Sequence, residues 1–209
     1  MSNGGDTVYL LDDEPGMLKA LTRLLKAEGY TVRAFTSAKV FLESYQPEEL
    51  SCLVLDVAMP ELDGLELQQR FTRGGILLPI VFLTGHGDIP MSVKAMKAGA
   101  LDFLTKPVKD VDLLRAVRVA LQRAAEQREL IMETALLHQR YSTLTSRERE
   151  VMTHVVAGAL NKQVAAALGI QEHTVKVHRS RVMEKMGVES LADLVRAAGR
   201  LGTEKPKSS

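Results

Sequence analysis

Cys52-Leu53-Val54-Leu55-Asp56-Val57-Ala58-Met59-Pro60 decides the fold. A short apolar run ends on a carboxylate, and a proline follows four residues later. A run this short, bounded by a turn signal, reads as a buried strand of a parallel sheet. That reading places Asp56 at the strand's carboxyl end, where open α/β sheets keep their chemistry.

Working outward, the same pattern recurs. Thr7 to Leu11 is a β-prone run followed by Asp12-Asp13-Glu14. Pro15 can open a helix carrying Met17, Leu18, Leu21, Leu24 and Leu25 at helical spacing, stopped by Gly29. Thr31 to Phe35 is a second strand, and Val40, Phe41, Leu42 and Tyr45 mark a second helix. After the strand at 51–56 come a helix from Gly64 to Phe71 and a fourth strand from Leu78 to Leu83, ending at Thr84-Gly85-His86-Gly87. Asp88 can cap the next helix, with Pro90 in its first turn. Leu101 to Thr105 is a fifth strand ending at Lys106-Pro107, and Asp110 begins a fifth helix. This alternation predicts a five-stranded, doubly wound parallel α/β sheet. Asp12/Asp13, Asp56, Thr84 and Lys106 all fall at strand ends.

Residues 110 to about 140 read as one long helix, with Leu114, Val117, Leu121, Ala124, Ile131 and Ala135 in a 3–4 spacing that Arg128 interrupts. A solvated connector and a dimerising linker both fit it. Thr145-Ser146-Arg147-Glu148 is a capping box, and Val151, Met152, Val155 and Val156 give the helix behind it an apolar face. Helices follow over Lys162–Leu168, about Glu172–Met186 and from Ser190, the first two stopped by Gly169 and Gly187. Thr203 to Ser209 is polar and reads as a disordered tail.

Charge divides along the chain of 209 residues. Residues 1–120 hold about 13 basic and 16 acidic side chains, and residues 141–209 about 11 basic and 7 acidic. An acidic front and a basic back imply different partners. The one cysteine, Cys52, excludes an internal disulfide and argues against a thiolate metal site. The amino terminus lacks a signal-peptide pattern, and no apolar run reaches the ~20 residues of a membrane helix. The expectation is a cytoplasmic protein with no membrane partner.

Three carboxylates converging at one sheet edge repel one another and call for a positive partner. A hard divalent cation such as Mg²⁺ suits them, and Lys106 supplies a second positive charge. Such a site neutralises an incoming phosphoryl group, and a carboxylate can itself attack phosphorus to give an acyl phosphate. The Thr84 hydroxyl can donate to a phosphoryl oxygen. Asp12-Asp13, Leu55-Asp56 with Met59-Pro60, Thr84-Gly85 and Lys106-Pro107 resemble the signature of a two-component receiver domain. The resemblance implies that Asp56 accepts phosphate from a sensor histidine kinase. It implies Mg²⁺ held by Asp12, Asp13, Asp56 and the Ala58 carbonyl, with Thr84 and Phe103 changing position on phosphorylation. It also implies a receiver interface around residues 88–104.

Lys162 to Leu168, the turn at Gly169-Ile170 and the helix from Glu172 make a helix-turn-helix. Ala165 permits close approach, Gly169 makes the turn and Val175 packs the second helix on the first. On that second helix Val175, Val182 and Met186 should face inward, leaving Lys176, Val177, Ser180 and Arg181 for base edges in a major groove. Asn161, Lys162, Thr174 and Arg179 are candidates for phosphate contacts. Residues 141–201 resemble the LuxR/FixJ-type four-helix DNA-binding domain, which implies base contacts from the Lys176 helix and dimerisation through the last helix, 191–201.

The expected organisation is a receiver over 1–122, a helical linker over 123–140, an all-α helix-turn-helix domain over 141–203 and a tail over 204–209. The expected function is a phosphorylation-controlled, promoter-binding regulator that dimerises when phosphorylated, with RNA polymerase as a further partner. An aspartyl-phosphate phosphatase is the enzymatic rival, but it needs a general acid two residues after its nucleophile, and Ala58 cannot serve. The chain therefore reads as a switch and not as a turnover enzyme. The other rival is a phosphorylation-gated module whose basic domain contacts protein.

Overall fold

A computed structural model describes residues 5–47, 49–59, 64–85 and 100–202. The helix expected after Asp88, His86, Pro60 and the tail lie outside the described residues. The chain divides into two compact units, Met1–Arg128 and Glu129–Ser209.

The first unit is a five-stranded parallel sheet in the order β2-β1-β3-β4-β5. The strands are β1 (Thr7–Leu11), β2 (Thr31–Phe35), β3 (Ser51–Asp56), β4 (Ile80–Thr84) and β5 (Asp102–Thr105). Helices α1 (Pro15–Ala27), α2 (Ala38–Ser44), α3 (Gly64–Arg73) and α4 (Asp110–Ser142) accompany them. Every residue of β1, β3 and β4 is buried, as strands covered on both faces require.

Strand side chains alternate between two cores. Val8, Leu10, Cys52, Val54, Val81 and Leu83 meet Leu18, Leu21 and Leu25 of α1 and Leu113, Val117 and Leu121 of α4. Tyr9, Leu11, Leu53, Leu55 and Phe82 meet Phe41 of α2 and Leu67 and Phe71 of α3. Each such buried side chain contributes about 1.5–3 kcal/mol. Cys52 is a core residue of this kind, and burial pushes its thiol pKa well up.

Two expected bounds are corrected, at the end of α2 and at the start of β4. In α2, Ala38 and Phe41 are buried while Val40 and Leu42 are half exposed, because seven residues present only two to the core. Tyr45 lies just past the end of that helix. β4 begins at Ile80, since Pro79 cannot donate to a ladder, and Leu78 is buried ahead of it. In α4 the buried stripe is Leu113, Ala116, Val117, Ala120, Leu121 and Ala124. Ile131 and Ala135, the last residues of the expected spacing, are exposed.

The second unit packs α5 (Ser146–Val156), α6 (Asn161–Leu168), α7 (Glu172–Met186) and α8 (Leu191–Arg200) around Val151, Met152, Val155, Val164, Val175, Val182, Met186 and Leu194. Leu137 and Tyr141, from the end of α4, pack on the same core. The capping box forms as expected: Thr145 Oγ1 accepts from the Glu148 amide, and Glu148 Oε2 accepts from the Thr145 amide. Gly169 and Gly187 hold φ of 65° and 64°, the left-handed geometry that ends α6 and α7. Among the described residues, no helix is long and apolar enough to cross a membrane.

Candidate functional site: an acidic strand-end cluster and an exposed basic helix face

Register assembles the first site. Leu11 pairs with Leu55, so the next residues, Asp12 and Asp56, emerge level with each other. Thr84 pairs with Thr105, so Lys106 emerges beside them across β4. Gly64, at the start of α3, lets that helix approach. A Cβ there would stand 3.0 Å from both the Asp56 carbonyl oxygen and Phe82.

Lys106 Nζ donates to Asp12 Oδ2 at 2.8 Å and to Asp56 Oδ2 at 3.0 Å, and reaches Glu14 Oε1 at 3.5 Å. The other oxygen of each aspartate is held locally. Asp12 Oδ1 accepts from the Glu14 amide at 2.8 Å, and Asp56 Oδ1 accepts from the Ala58 amide at 3.2 Å. Asp12 and Asp56 are buried, while Asp13 is exposed. Glu14 is a neighbour that strand-end counting did not single out. Its signal was adjacency to Asp13 in the sequence.

Burial raises the Asp12 carboxyl pKa above its ordinary value, against the opposing pull of Lys106. Burial pulls the Lys106 ammonium down, but its bonds to Asp12 and Asp56 outweigh this and its pKa ends well above the usual lysine range. Carboxylate oxygens of Asp12, Asp13 and Asp56 lie within 4.8 Å of one another. Asp12, Asp13, Asp56 and Glu14 against one ammonium leave a formal charge of −3 at this edge. An oxygen-only set of three carboxylate donors fits a hard divalent cation such as Mg²⁺.

Thr84 is buried at the end of β4, and its carbonyl accepts from the Lys106 amide at 2.6 Å. Phe103 is half-buried, its ring 6.1 Å from that of Phe82. Thr84 thus belongs to the cluster's rim. Phe103 sits in the core face beneath it.

The second site lies on α7. Val175, Val182 and Met186 are buried, and Lys176, Val177, Ser180 and Arg181 are exposed, as the helical period requires. Lys176 is 3.9 Å from Glu172 one turn earlier, an exposed pair that constrains it little. Arg179 Nη1 donates to Asn161 Oδ1 at 3.3 Å, joining two of the proposed phosphate contacts across α6 and α7. Lys162 is exposed, and Thr174 is half-buried at the start of α7.

Two arginines that the sequence reading passed over close the carboxyl ends of the helix-turn-helix pair. Arg147 Nη2 donates to the Leu168 carbonyl at 2.7 Å, and Arg140 Nη1 donates to the Met186 carbonyl at 3.0 Å. Lys185 Nζ donates to buried Glu148 at 2.6 Å and to the Thr143 carbonyl at 3.2 Å. The hydrogen bond from Lys185 leads the causes that hold the Glu148 carboxyl below its ordinary pKa.

Comparison with known proteins gives both sites a context. Residues 8–118 match the model for the response regulator receiver domain, and residues 142–198 that for bacterial regulatory proteins of the luxR family. The chain is 47% identical over 201 residues to response regulator protein TodT of Pseudomonas putida, covering 96% of this chain and 88% of the relative. It is 41% identical to transcriptional regulatory protein FixJ of Azorhizobium caulinodans, covering 91% and 90%. The solved structure of response regulator StyR aligns with a TM-score of 0.82 at 45% identity, covering 94% of this chain and 99% of that one. The chain belongs to the response regulators of transcription that join a receiver domain to a luxR-family DNA-binding domain.

Proposed function

We propose that Asp56 is the phosphoacceptor and that its phosphorylation controls promoter binding by the exposed face of α7. The observation that carries this reading is the Lys106 ammonium bridging buried Asp12 and Asp56 with Asp13 alongside. Lys106 holds Asp56 Oδ2, and the Ala58 amide holds Oδ1, so the carboxylate is fixed in orientation before a donor arrives. One carboxylate oxygen attacks phosphorus. A P–O bond forms as the P–N bond to the kinase's phosphohistidine breaks, and the imidazole leaves with the electron pair.

Asp12, Asp13 and Asp56 would hold Mg²⁺, with the Ala58 carbonyl completing the set. When bound, Mg²⁺ supplies charge neutralisation for the phosphoryl oxygens. Lys106 then pairs with a phosphoryl oxygen, and Thr84 donates its hydroxyl to another. That movement of Thr84 makes room for Phe103 to change position.

The partners in this reading are a sensor histidine kinase, double-stranded promoter DNA, RNA polymerase and a second copy of the chain when phosphorylated. Lys176, Val177, Ser180 and Arg181 read base edges, and Asn161, Lys162, Thr174 and Arg179 contact phosphates. The receiver spans 1–122, the linker 123–140 and the DNA-binding domain 141–203, in the cytoplasm.

Selection of bound fragments from the organism's own DNA, with and without acetyl phosphate, tests the proposal. Enrichment of defined fragments should rise with phosphodonor in the wild type and not in Asp56→Asn. Equal enrichment by both proteins would refute the assignment of Asp56.

A further inference from the structure

The end of α4 is built into the DNA reader. From the last turns of α4, Glu133 pairs with Arg200 of α8 at 2.6 Å, and Leu137 and Tyr141 join the domain core. Arg140 reaches the carboxyl end of α7, where Nη1 donates to the Met186 carbonyl at 3.0 Å. That carbonyl lies in the last turn, where helices leave acceptors unpaired and where the helix dipole favours a cation.

Gly187 provides the room. A Cβ at that position would stand 2.6 Å from Arg140 Nη1. Lys185, one residue before Met186, is anchored to the Thr143 carbonyl, just past the end of α4, and to Glu148 in the first turn of α5. The carboxyl end of α7 is therefore gripped on two successive residues by the segment that ends α4 and begins α5.

We infer that Arg140 is a positioning residue for DNA recognition: through its bond to Met186, the carboxyl end of α4 sets the pitch at which α7 presents Lys176 to Arg181. The inference rests on the reading of that face as the base-contacting one. Ten residues of helix separate Lys176 from Met186, about 15 Å, so a tilt of about 5° at the gripped end moves the reading end by about 1 Å. Specific hydrogen bonds to base edges tolerate about half of that displacement. Contacts to phosphates through long flexible side chains tolerate more. Loss of the grip should thus harm specific binding more than non-specific binding.

The test uses the full chain with acetyl phosphate, a fragment selected from genomic DNA and a random duplex of equal length. Arg140→Ala should weaken binding to the selected fragment about tenfold, the size of one charge-assisted hydrogen bond, and change random-duplex binding by less than about twofold. Arg140→Lys, which keeps a donor at the carbonyl, should recover much of the loss. Gly187→Ala should cost less affinity in the Arg140→Ala background than in the wild type, because the left-handed backbone strain is common to both while only the wild type has a guanidinium to displace. Equal loss on both duplexes, or equal cost of Gly187→Ala in both backgrounds, would overturn the positioning role. Lys176→Ala run beside these separates the two ideas. If Lys176→Ala weakens specific binding and Arg140→Ala does not, the grip alone fails. If Lys176→Ala has no effect, the reading of the α7 face fails first.

Discussion

The strand-end cluster and the α7 face use charge in opposite ways. At the strand ends, Asp12, Asp56 and Lys106 come from segments far apart in sequence and meet with their charges largely out of water. On α7, Lys176, Val177, Ser180 and Arg181 belong to one helix and stand in solvent. The buried carboxylate is itself the proposed reacting group, so the effect of its removal on the chemistry is all-or-none. Exposed groups act nearly independently, so removing one is graded. The difference suits a chemical step at one site and summed recognition at the other.

The largest expected effect lies at the buried site. Asp56→Asn should abolish acyl-phosphate formation from acetyl phosphate, read as the mass gain of the intact chain. Lys106 keeps its bond to Asp12 in that variant, so the melting profile should stay close to wild type. Chelating Mg²⁺ should reduce labelling of the wild type to background. Labelling that survives both changes would break the contrast drawn above.

Next comes Glu148, the one buried acid among the described residues of the second unit. Glu148→Ala removes the reciprocal half of the capping box and the partner of Lys185, and should cost that unit about 2–3 kcal/mol in urea unfolding. The sign of its pH dependence follows from its lowered folded pKa. The contribution is fully present above the unfolded value and is lost as pH falls through the folded value. Wild type and Glu148→Gln should therefore converge in stability under acid. A gap that widens as pH falls would reverse the assignment.

On the exposed face the effects shrink. Lys176→Ala should weaken binding to a selected fragment by about 1–3 kcal/mol and leave phosphorylation unchanged. Loss of the same size on random DNA would make Lys176 a phosphate contact. Val177→Ala should be smaller still, below about 1 kcal/mol, and confined to fragments with a thymine at the contacted position. A larger, sequence-independent loss would mean that Val177 matters to packing despite its exposure.

Legibility in the sequence followed the same division. β3 was readable to the residue, because an apolar run ending on Asp56 has one comfortable environment. The strand-end position of Asp12, Asp56, Thr84 and Lys106 was likewise readable, since each follows or closes a β-prone run. The α7 faces were readable from period alone. The 3–4 spacing of α4 runs past Ala124 to Ile131 and Ala135, both exposed, which fits the solvated connector and the dimerising linker alike.

By itself the sequence determined what is local: element order, caps at Thr145 and Ser190, glycine stops at 169 and 187, and the outward face of α7. It also set which carboxylates end which strands. Tertiary structure alone decided that one ammonium bridges Asp12 and Asp56, that Glu14 stands near it, and that Arg140 holds the end of α7. These contacts join residues 46 to 94 positions apart. Nothing in local propensity marks such partners, because an arginine on a helix surface looks the same whether it meets water or a carbonyl. Only the register of the sheet and the packing of the helices choose between the two.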